Sequence, residues 1–143
     1  MGSFETFDHT ADLGLRILGA NLDDLFQTAA LGLMQTIVAN PDSIRPARTE
    51  HLTLQSDSLP RLLTSWLNEL IFRVETLRSL YSRFDVVVSS PDSAPRLTAT
   101  IHGEPMEPDR HLLDHEVKAV THHALVFERN ADGSLMAEVI LDI

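Results

Sequence analysis

The chain has 143 residues, of which 43% are hydrophobic and 22% are charged, as in an ordinary globular domain. Eleven Lys and Arg residues against 21 Asp and Glu residues give a net charge of −10, which disfavours direct binding to nucleic acid. Without cysteine, disulfides and cysteine-ligated zinc are excluded, and without a signal peptide or an apolar run of about 18 residues we expect a cytoplasmic protein with no membrane contact.

The first half of the chain predicts short strands alternating with two helices. Asn21 is placed to cap a helix whose apolar residues recur at helical spacing, and Pro41 ends it. Ser58 is placed to cap a second helix, whose broad apolar face predicts packing against a core rather than a cofactor site. Strands are expected at residues 1–7, 13–17 and 51–55, with a polar turn at 8–12.

From Phe84 onward the hydrophobic pattern changes to the period of two that is typical of strands. Gly103 is expected to end one strand and to begin a loop rich in proline and charge. Strands are expected at 84–89, 97–102, 117–127 and 135–143, with a hairpin turn at 130–133. Two early helices and a run of strands predict one α+β domain over residues 1–143, with two amphipathic helices on one face of a largely antiparallel sheet.

Nucleophilic catalysis and histidine-based metal binding have little support. There is no nucleophile-elbow motif and no glycine-rich phosphate loop. His111 and His115 are four residues apart but lack the zincin glutamate and lie in the expected loop, so we interpret them as surface histidines. His122 and His123 lie in an expected strand, where neighbouring side chains point to opposite faces and cannot share one ion.

Two aspartates lie near the ends of expected strands. Asp12 follows the polar turn, and Asp142 precedes Ile143, whose backbone carboxylate ends the sequence. In an alternating last strand, Asp142 shares the solvent face with Glu138. If the first and last strands are neighbours, Asp12 completes a set of oxygen ligands suited to calcium or magnesium. Spacing alone leaves open that these aspartates are solvated or cap a turn.

Six segments, in order along the whole chain, resemble the archease family. The first is FDHTADLG at 7–14, which is similar to the family's opening EHTADhG signature; the others lie at 25–33, 66–72, 103–105, 116–123 and 139–143. The chain departs from the family pattern at Asp8, where glutamate is usual, at His122, where tyrosine is usual, and at Leu135, where tryptophan is frequent. None of these departures falls on a candidate metal ligand.

The resemblance implies a function. Archeases cooperate with the tRNA-splicing RNA ligase that uses GTP to join 2′,3′-cyclic-phosphate and 5′-hydroxyl ends, so we expect a non-catalytic activator that promotes ligase guanylylation and multiple turnover. The resemblance also implies a divalent cation held by Asp12, Asp142 and Ile143, with calcium expected first and magnesium or manganese as alternatives. Lys118 is expected to contact the ligase or the guanylylated intermediate, unless it snorkels or forms an ion pair with Glu116. His9 is expected to orient Asp12 or to stabilise the turn.

Two other functions stay open. Family members have also been linked to a role as chaperone or specificity modulator of a tRNA methyltransferase. A stand-alone metal-dependent hydrolase is the third interpretation, although the sequence offers no convincing base. The negative charge fits either simple solubility or docking on a basic partner such as a nucleic-acid enzyme.

Overall fold

The computed structural model describes residues 2–9, 12–90 and 94–143. The elements are β1 (Ser3–His9), β2 (Asp12–Gly19), α1 (Leu22–Ile37), a 3₁₀ turn (Pro41–Ser43), β3 (Arg48–Gln55), α2 (Leu59–Glu75), β4 (Ser79–Ser89), β5 (Arg96–Pro105), β6 (Ala119–Arg129) and β7 (Leu135–Asp142). The first sheet has the order β1-β2-β7-β6 and the second has the order β3-β5-β4, both antiparallel. The α+β prediction is confirmed, with the strands divided between two sheets. No helix within the described ranges is long and apolar enough to cross a membrane.

Both helices begin where their capping residues predict. The side chain of Asn21 accepts a hydrogen bond from the Asp24 backbone N–H at 2.9 Å, and that of Ser58 accepts one from the Arg61 N–H at 3.3 Å. These bonds satisfy N–H groups that the first turn of a helix leaves without partners. Asp23 accepts a hydrogen bond from the Val88 N–H at 2.7 Å, which ties the start of α1 to the end of β4.

The helices share one core with the inner faces of both sheets. α1 packs against β2 of the first sheet and β4 of the second, and α2 packs against β6, β4 and β3. The fully buried Trp66 donates from Nε1 to the Phe26 carbonyl at 2.9 Å and meets the Phe84 ring edge to face, with centroids 6.1 Å apart. The apolar helix faces therefore form core, as their pattern predicts.

One expectation about the strands is wrong, and the strand pairing is irregular at two places. Gly103 lies inside β5, where a Cβ would come within 1.9 Å of the Leu80 carbonyl oxygen, so this glycine permits a close backbone approach rather than ending a strand. In β6 the register shifts between Thr121 and Val126, and Ala124 takes a φ of 55°. His122 turns toward α2, with Nε2 3.4 Å from Thr64 Oγ1, and the expectation that His122 and His123 point to opposite faces stays a prediction.

Candidate functional site

Strand register brings the opening motif and the end of β7 to the same end of the first sheet. β2 begins at Asp12, which pairs across the hairpin with His9 of β1. On its other side, β2 pairs with β7 through Leu13 and Leu141, so Asp12 and Asp142 occupy the next position on two neighbouring strands. Part of the expected turn, residues 10–11, and the His9 side chain lie outside the described part of the molecule, so the role of His9 stays a prediction.

Asp12 and Asp142 also share one face of the sheet. Residues of β2 and β7 that alternate with them, such as Leu13 and Leu141, face the core, whereas Arg16 and Glu138 lie on the outer face with the aspartates. Directly opposed residues on antiparallel strands place their Cβ atoms about 4.5–5.5 Å apart, and like charges there repel. Within the described residues, neither aspartate side chain has a hydrogen-bond or ion-pair partner. We call these two residues the acidic pair.

The ring of Phe7 separates the acidic pair from the nearest guanidinium on this face. Phe7 pairs with Gly14, and a Cβ on Gly14 would come within 2.2 Å of the ring, so the ring lies over the glycine. The guanidinium carbon of Arg16 stands 5.2 Å from the ring centroid, a cation–π distance. Arg16 also forms ion pairs with Glu5 and Glu138, and the hydrogen bond to Glu138 is the main cause that raises the pKa of Arg16. The positive charge of this face is thereby engaged on the far side of Phe7.

Lys118 is connected to the acidic pair by a backbone hydrogen bond. It immediately precedes β6, and its N–H donates to the carbonyl of Asp142 at 2.7 Å. The Lys118 side chain is exposed, and no ion pair with Glu116 forms in the described part of the chain. The exposed Ile143 follows Asp142 directly. Four of the five residues singled out from the sequence therefore lie together, with the backbone of the fifth, His9, paired to Asp12.

The donor set suits a hard cation, yet it is incomplete. Asp12 and Asp142 offer carboxylate oxygens, which calcium and magnesium prefer, and Ile143 is the third expected ligand. Among the described residues, no three His, Cys, Asp or Glu side chains are arranged to hold a metal. Because calcium takes about 6–8 oxygen ligands, water or another molecule would have to supply the remainder.

Comparison with known proteins identifies the family. The model of the archease protein family (MTH1598/TM1083) matches residues 4–143. This chain belongs to the archease family. It is 35% identical over 143 residues to the archease of Methanothermobacter thermautotrophicus and 30% identical over 143 residues to that of Pyrococcus abyssi, covering 100% of both chains in each comparison.

Solved structures share the archease fold. The solution structure of Methanobacterium thermoautotrophicum Protein 1598 aligns with a TM-score of 0.81 at 33% identity, covering 98% of each chain. A crystal structure of a Thermotoga maritima archease, described as a possible chaperone, aligns with a TM-score of 0.63 at 20% identity, covering 97% of this chain and 96% of that one. The family and the fold class expected from the sequence are confirmed.

Asn68 was not singled out from the sequence. It lies on α2, in one of the segments that resemble archeases, and it holds β6, the strand next to the acidic pair. Its Nδ2 donates to the Val120 carbonyl at 3.0 Å, and its Oδ1 accepts from the Val120 N–H at 2.8 Å. β6 is an edge strand, so these bonds satisfy backbone groups that would otherwise be free to pair with another chain. The available signal was the single amide side chain of α2, which directly follows the buried Trp66 and Leu67.

A second group was misinterpreted. His111 is 1% exposed, so the expectation of a surface histidine is wrong. Its Nε2 lies 2.9 Å from Glu104, and its Nδ1 accepts from the Glu107 N–H at 2.9 Å. Arg110 donates to both oxygens of Glu104, at 2.8 and 2.6 Å, and is the main cause that lowers the pKa of Glu104 to about 2. We call Glu104, Arg110 and His111 the buried cluster; it fastens the loop after β5. His115 is exposed, as expected.

Proposed function

We propose that the protein is a non-catalytic activator of the GTP-dependent tRNA-splicing RNA ligase, promoting ligase guanylylation and multiple turnover. The observation that supports this proposal is the acidic pair at an exposed end of the first sheet, with Lys118 held beside it. Charged groups that are exposed at the end of a sheet, rather than enclosed in a cleft, can contact the active site of another protein.

In this proposal, Asp12, Asp142 and Ile143 hold a divalent cation, with calcium expected first and magnesium or manganese as alternatives. Such a cation supplies positive charge that neutralises phosphate oxygens. The opposed carboxylates favour a cation because their mutual repulsion is relieved when one binds. The exposure of Asp142 and Ile143 leaves room for ligase or nucleotide oxygens to complete the ligand set.

Lys118 and His9 take supporting roles. The ammonium of Lys118 is free to contact the ligase or the phosphates of its guanylylated intermediate, while its backbone stays attached to Asp142. His9, paired through its backbone with Asp12, is proposed to orient that carboxylate. Both roles make separate predictions: Lys118→Ala lowers ligase stimulation without changing cation affinity, whereas His9→Ala lowers cation affinity.

The charge of the chain fits a cytoplasmic protein that docks on a basic enzyme. A ligase that binds polyanionic RNA presents positive surface, and a chain with net charge −10 is steered toward it rather than toward the RNA itself. Steering of this kind weakens as salt rises, because the Debye length shrinks to about 3 Å at 1 M. We therefore propose no direct contact with nucleic acid.

Multiple-turnover RNA ligation tests the proposal. The cognate ligase is assayed with GTP and a divalent cation, alone, with the wild-type chain and with Asp142→Asn. Asp57→Asn serves as the control, because Asp57 is also an exposed aspartate but lies just before the Ser58 cap of α2. We expect the wild type and the control to stimulate ligation and Asp142→Asn to fail. Equal stimulation by all three proteins would reject the metal ligands, and no stimulation by any would reject the activator role.

The alternative function, chaperone or modulator of a tRNA methyltransferase, has one observation in its favour. Leu77, Leu112 and Leu113 are exposed apolar side chains of the kind that a chaperone presents to clients. The Thermotoga maritima archease described as a possible chaperone shares the fold. A chaperone activity should survive Asp142→Asn, whereas ligase activation should not.

A further inference from the structure

A preformed groove of about 360 Å³ lies where both helices end. Its floor is apolar, formed by Ile37 at the last residue of α1, Val74 near the end of α2, and Met106. Leu113 on the loop before β6 forms one wall and is 49% exposed. The groove thus joins a sheltered apolar floor to an exposed leucine.

Backbone hydrogen bonds hold the loop that walls the groove. The Asp114 N–H donates to the Ile37 carbonyl at 2.8 Å, and the His115 N–H donates to the Thr36 carbonyl at 3.1 Å. On the other side, the Met106 N–H donates to the Arg78 carbonyl at 2.8 Å. A wall fixed to the helix end does not have to be ordered when a partner binds, which favours recognition.

The rim of the groove is negative. Glu75, Asp114 and Glu116 line it together with one guanidinium, that of Arg78, and one imidazole, that of His115, whose Nε2 lies 3.9 Å from Asp114. Within the described residues, neither Glu75 nor Glu116 forms an ion pair. The C-terminal end of a helix carries partial negative charge. The last turn of α1 has no basic residue to offset it, and Arg73 in the last turn of α2 is paired with Glu50 and Glu69. A positively charged guest is therefore favoured over a neutral or acidic one.

One segment of the chain joins the groove to the acidic pair. Asp114 and His115 line the groove, and they also border a second depression that includes Leu13 on the inner face of β2. Glu116 precedes by two residues Lys118, whose backbone is bonded to Asp142. The loop from Asp114 to Lys118 therefore connects the two features along the chain.

We propose that this groove receives a basic segment of the RNA ligase, with one apolar side chain seated on the floor beside Leu113 and its Lys or Arg neighbours facing Glu75 and Glu116. This inference rests on the proposed function, because it names the surface through which the ligase is held. The groove contributes affinity, and the acidic pair contributes activation.

Binding and ligation measured together test the inference. The dissociation constant for the purified ligase is compared among wild type, Leu113→Thr and the double variant Glu75→Lys/Glu116→Lys. Val87→Thr is the control for the first change, because Val87 is also an exposed aliphatic residue but lies on β4. Asp57→Lys/Glu128→Lys is the control for the second, because both of its carboxylates are exposed and away from the groove.

We expect each groove variant to raise the dissociation constant about tenfold and each control to change it less than about twofold. The effect of the charge variant should shrink at high salt, whereas that of Leu113→Thr should persist. At saturating concentration, the groove variants should still stimulate ligation fully, whereas Asp142→Asn should bind normally and stimulate little.

Three outcomes would overturn the inference. If the wild type stimulates ligation and both groove variants bind as tightly as it does, the ligase docks elsewhere and the activator role stands. If the wild type neither binds nor stimulates the ligase, the proposed function fails and the inference fails with it. A photo-crosslinking residue at position 113 that captures a second copy of this chain instead of the ligase would assign the groove to self-association.

Discussion

Two regions of this molecule place carboxylates in opposite environments. In the buried cluster, the oxygens of Glu104 accept hydrogen bonds from Arg110, from His111 and from the Arg45 backbone N–H. In the acidic pair, two aspartates stand in adjacent positions of neighbouring strands, with no bonding partner in the part of the chain that the structure describes. The first arrangement fastens a loop, and the second leaves negative charge available to something outside the protein.

The same difference recurs along the outer face of the first sheet. Arg16, two residues along β2 from Gly14, forms ion pairs with Glu5 and Glu138 on both neighbouring strands. Among the described side chains, the row of the acidic pair has no such cation, and the Phe7 ring stands between the two rows. Among the residues that the structure describes, Glu5 and Glu138 are thus paired with a cation, whereas the two aspartates where we place the metal ion have no partner. Substitutions that remove one charge should therefore act differently in the two regions.

The largest effect is expected from Asp142→Asn on the binding of a divalent cation. Losing one of the two carboxylates should lower calcium affinity about 100-fold, equivalent to about 2.7 kcal/mol. Isothermal titration with calcium, magnesium and manganese measures this, and Glu138→Gln on the same strand and face is the control. An unchanged calcium affinity for Asp142→Asn would remove Asp142 from the ligand set.

Glu104→Gln is expected to destabilise the fold by about 2 kcal/mol. The amide NH₂ of glutamine would face donors that now point at a carboxylate, including Arg110 and His111. Denaturant unfolding measures the free energy of unfolding. Glu107→Gln in the same loop, whose ion pair with Arg110 is exposed on the glutamate side, should change it by less than about 0.5 kcal/mol. Equal losses of unfolding free energy in the two variants would show that the buried Glu104 contributes no more to stability than the exposed Glu107.

The dependence of stability on pH in the acid range should reflect the ionisation of Glu104. Arg110 holds the pKa of Glu104 at about 2, below its ordinary value of 4.5. Because the folded-state pKa is depressed, the stabilisation is complete above the unfolded pKa and is lost as pH falls from 4.5 toward about 2. The wild type should therefore lose more stability than Glu104→Gln over that range, and parallel curves for the two proteins would contradict this assignment.

Gly14→Ala is expected to cost about 1.5 kcal/mol, because the new methyl group must displace the Phe7 ring. The ring is also the barrier between Arg16 and the acidic pair, so calcium affinity should fall as well. A double-mutant cycle with Phe7→Ala isolates the clash: adding Gly14→Ala to Phe7→Ala should cost much less than adding it to the wild type. Additive losses would mean that the backbone, rather than the ring, requires glycine.

Local features of the fold were predictable from the sequence, whereas its long-range pairing was not. Asn21 and Ser58 cap helices through bonds to residues three positions away, so the signal lies within one turn. The pairing of β2 with β7 joins residues such as Arg16 and Glu138, which are 122 positions apart, and no local pattern encodes it. Gly103 shows the same limit, because a glycine can end a strand or allow a close backbone approach.

For the candidate site, likewise, the residues were predictable from the sequence but their arrangement was not. The family resemblance singled out Asp12, Asp142, Ile143, Lys118 and His9, but only the sheet register places them at one end of one sheet. The buried cluster was missed because the loop after β5 has no period that reveals burial. Its proline and charged residues are typical of exposed loops, and the burial of His111 depends on the distant residues that cover it.

The smallest expected effect is a change in the free energy of unfolding whose sign is opposite to that of Glu104→Gln. It therefore tests the difference between the acidic pair and the buried cluster most directly. In the presence of a chelator, Asp142→Asn should stabilise the fold by about 0.5 kcal/mol, because it removes repulsion between directly opposed like charges. In calcium the order should reverse, since the wild type gains binding free energy that the variant lacks. Denaturant unfolding of both proteins in chelator and in calcium measures the two signs. A loss of stability in chelator would mean that Asp142 supports the fold as Glu104 does, and the distinction between the two regions would fail.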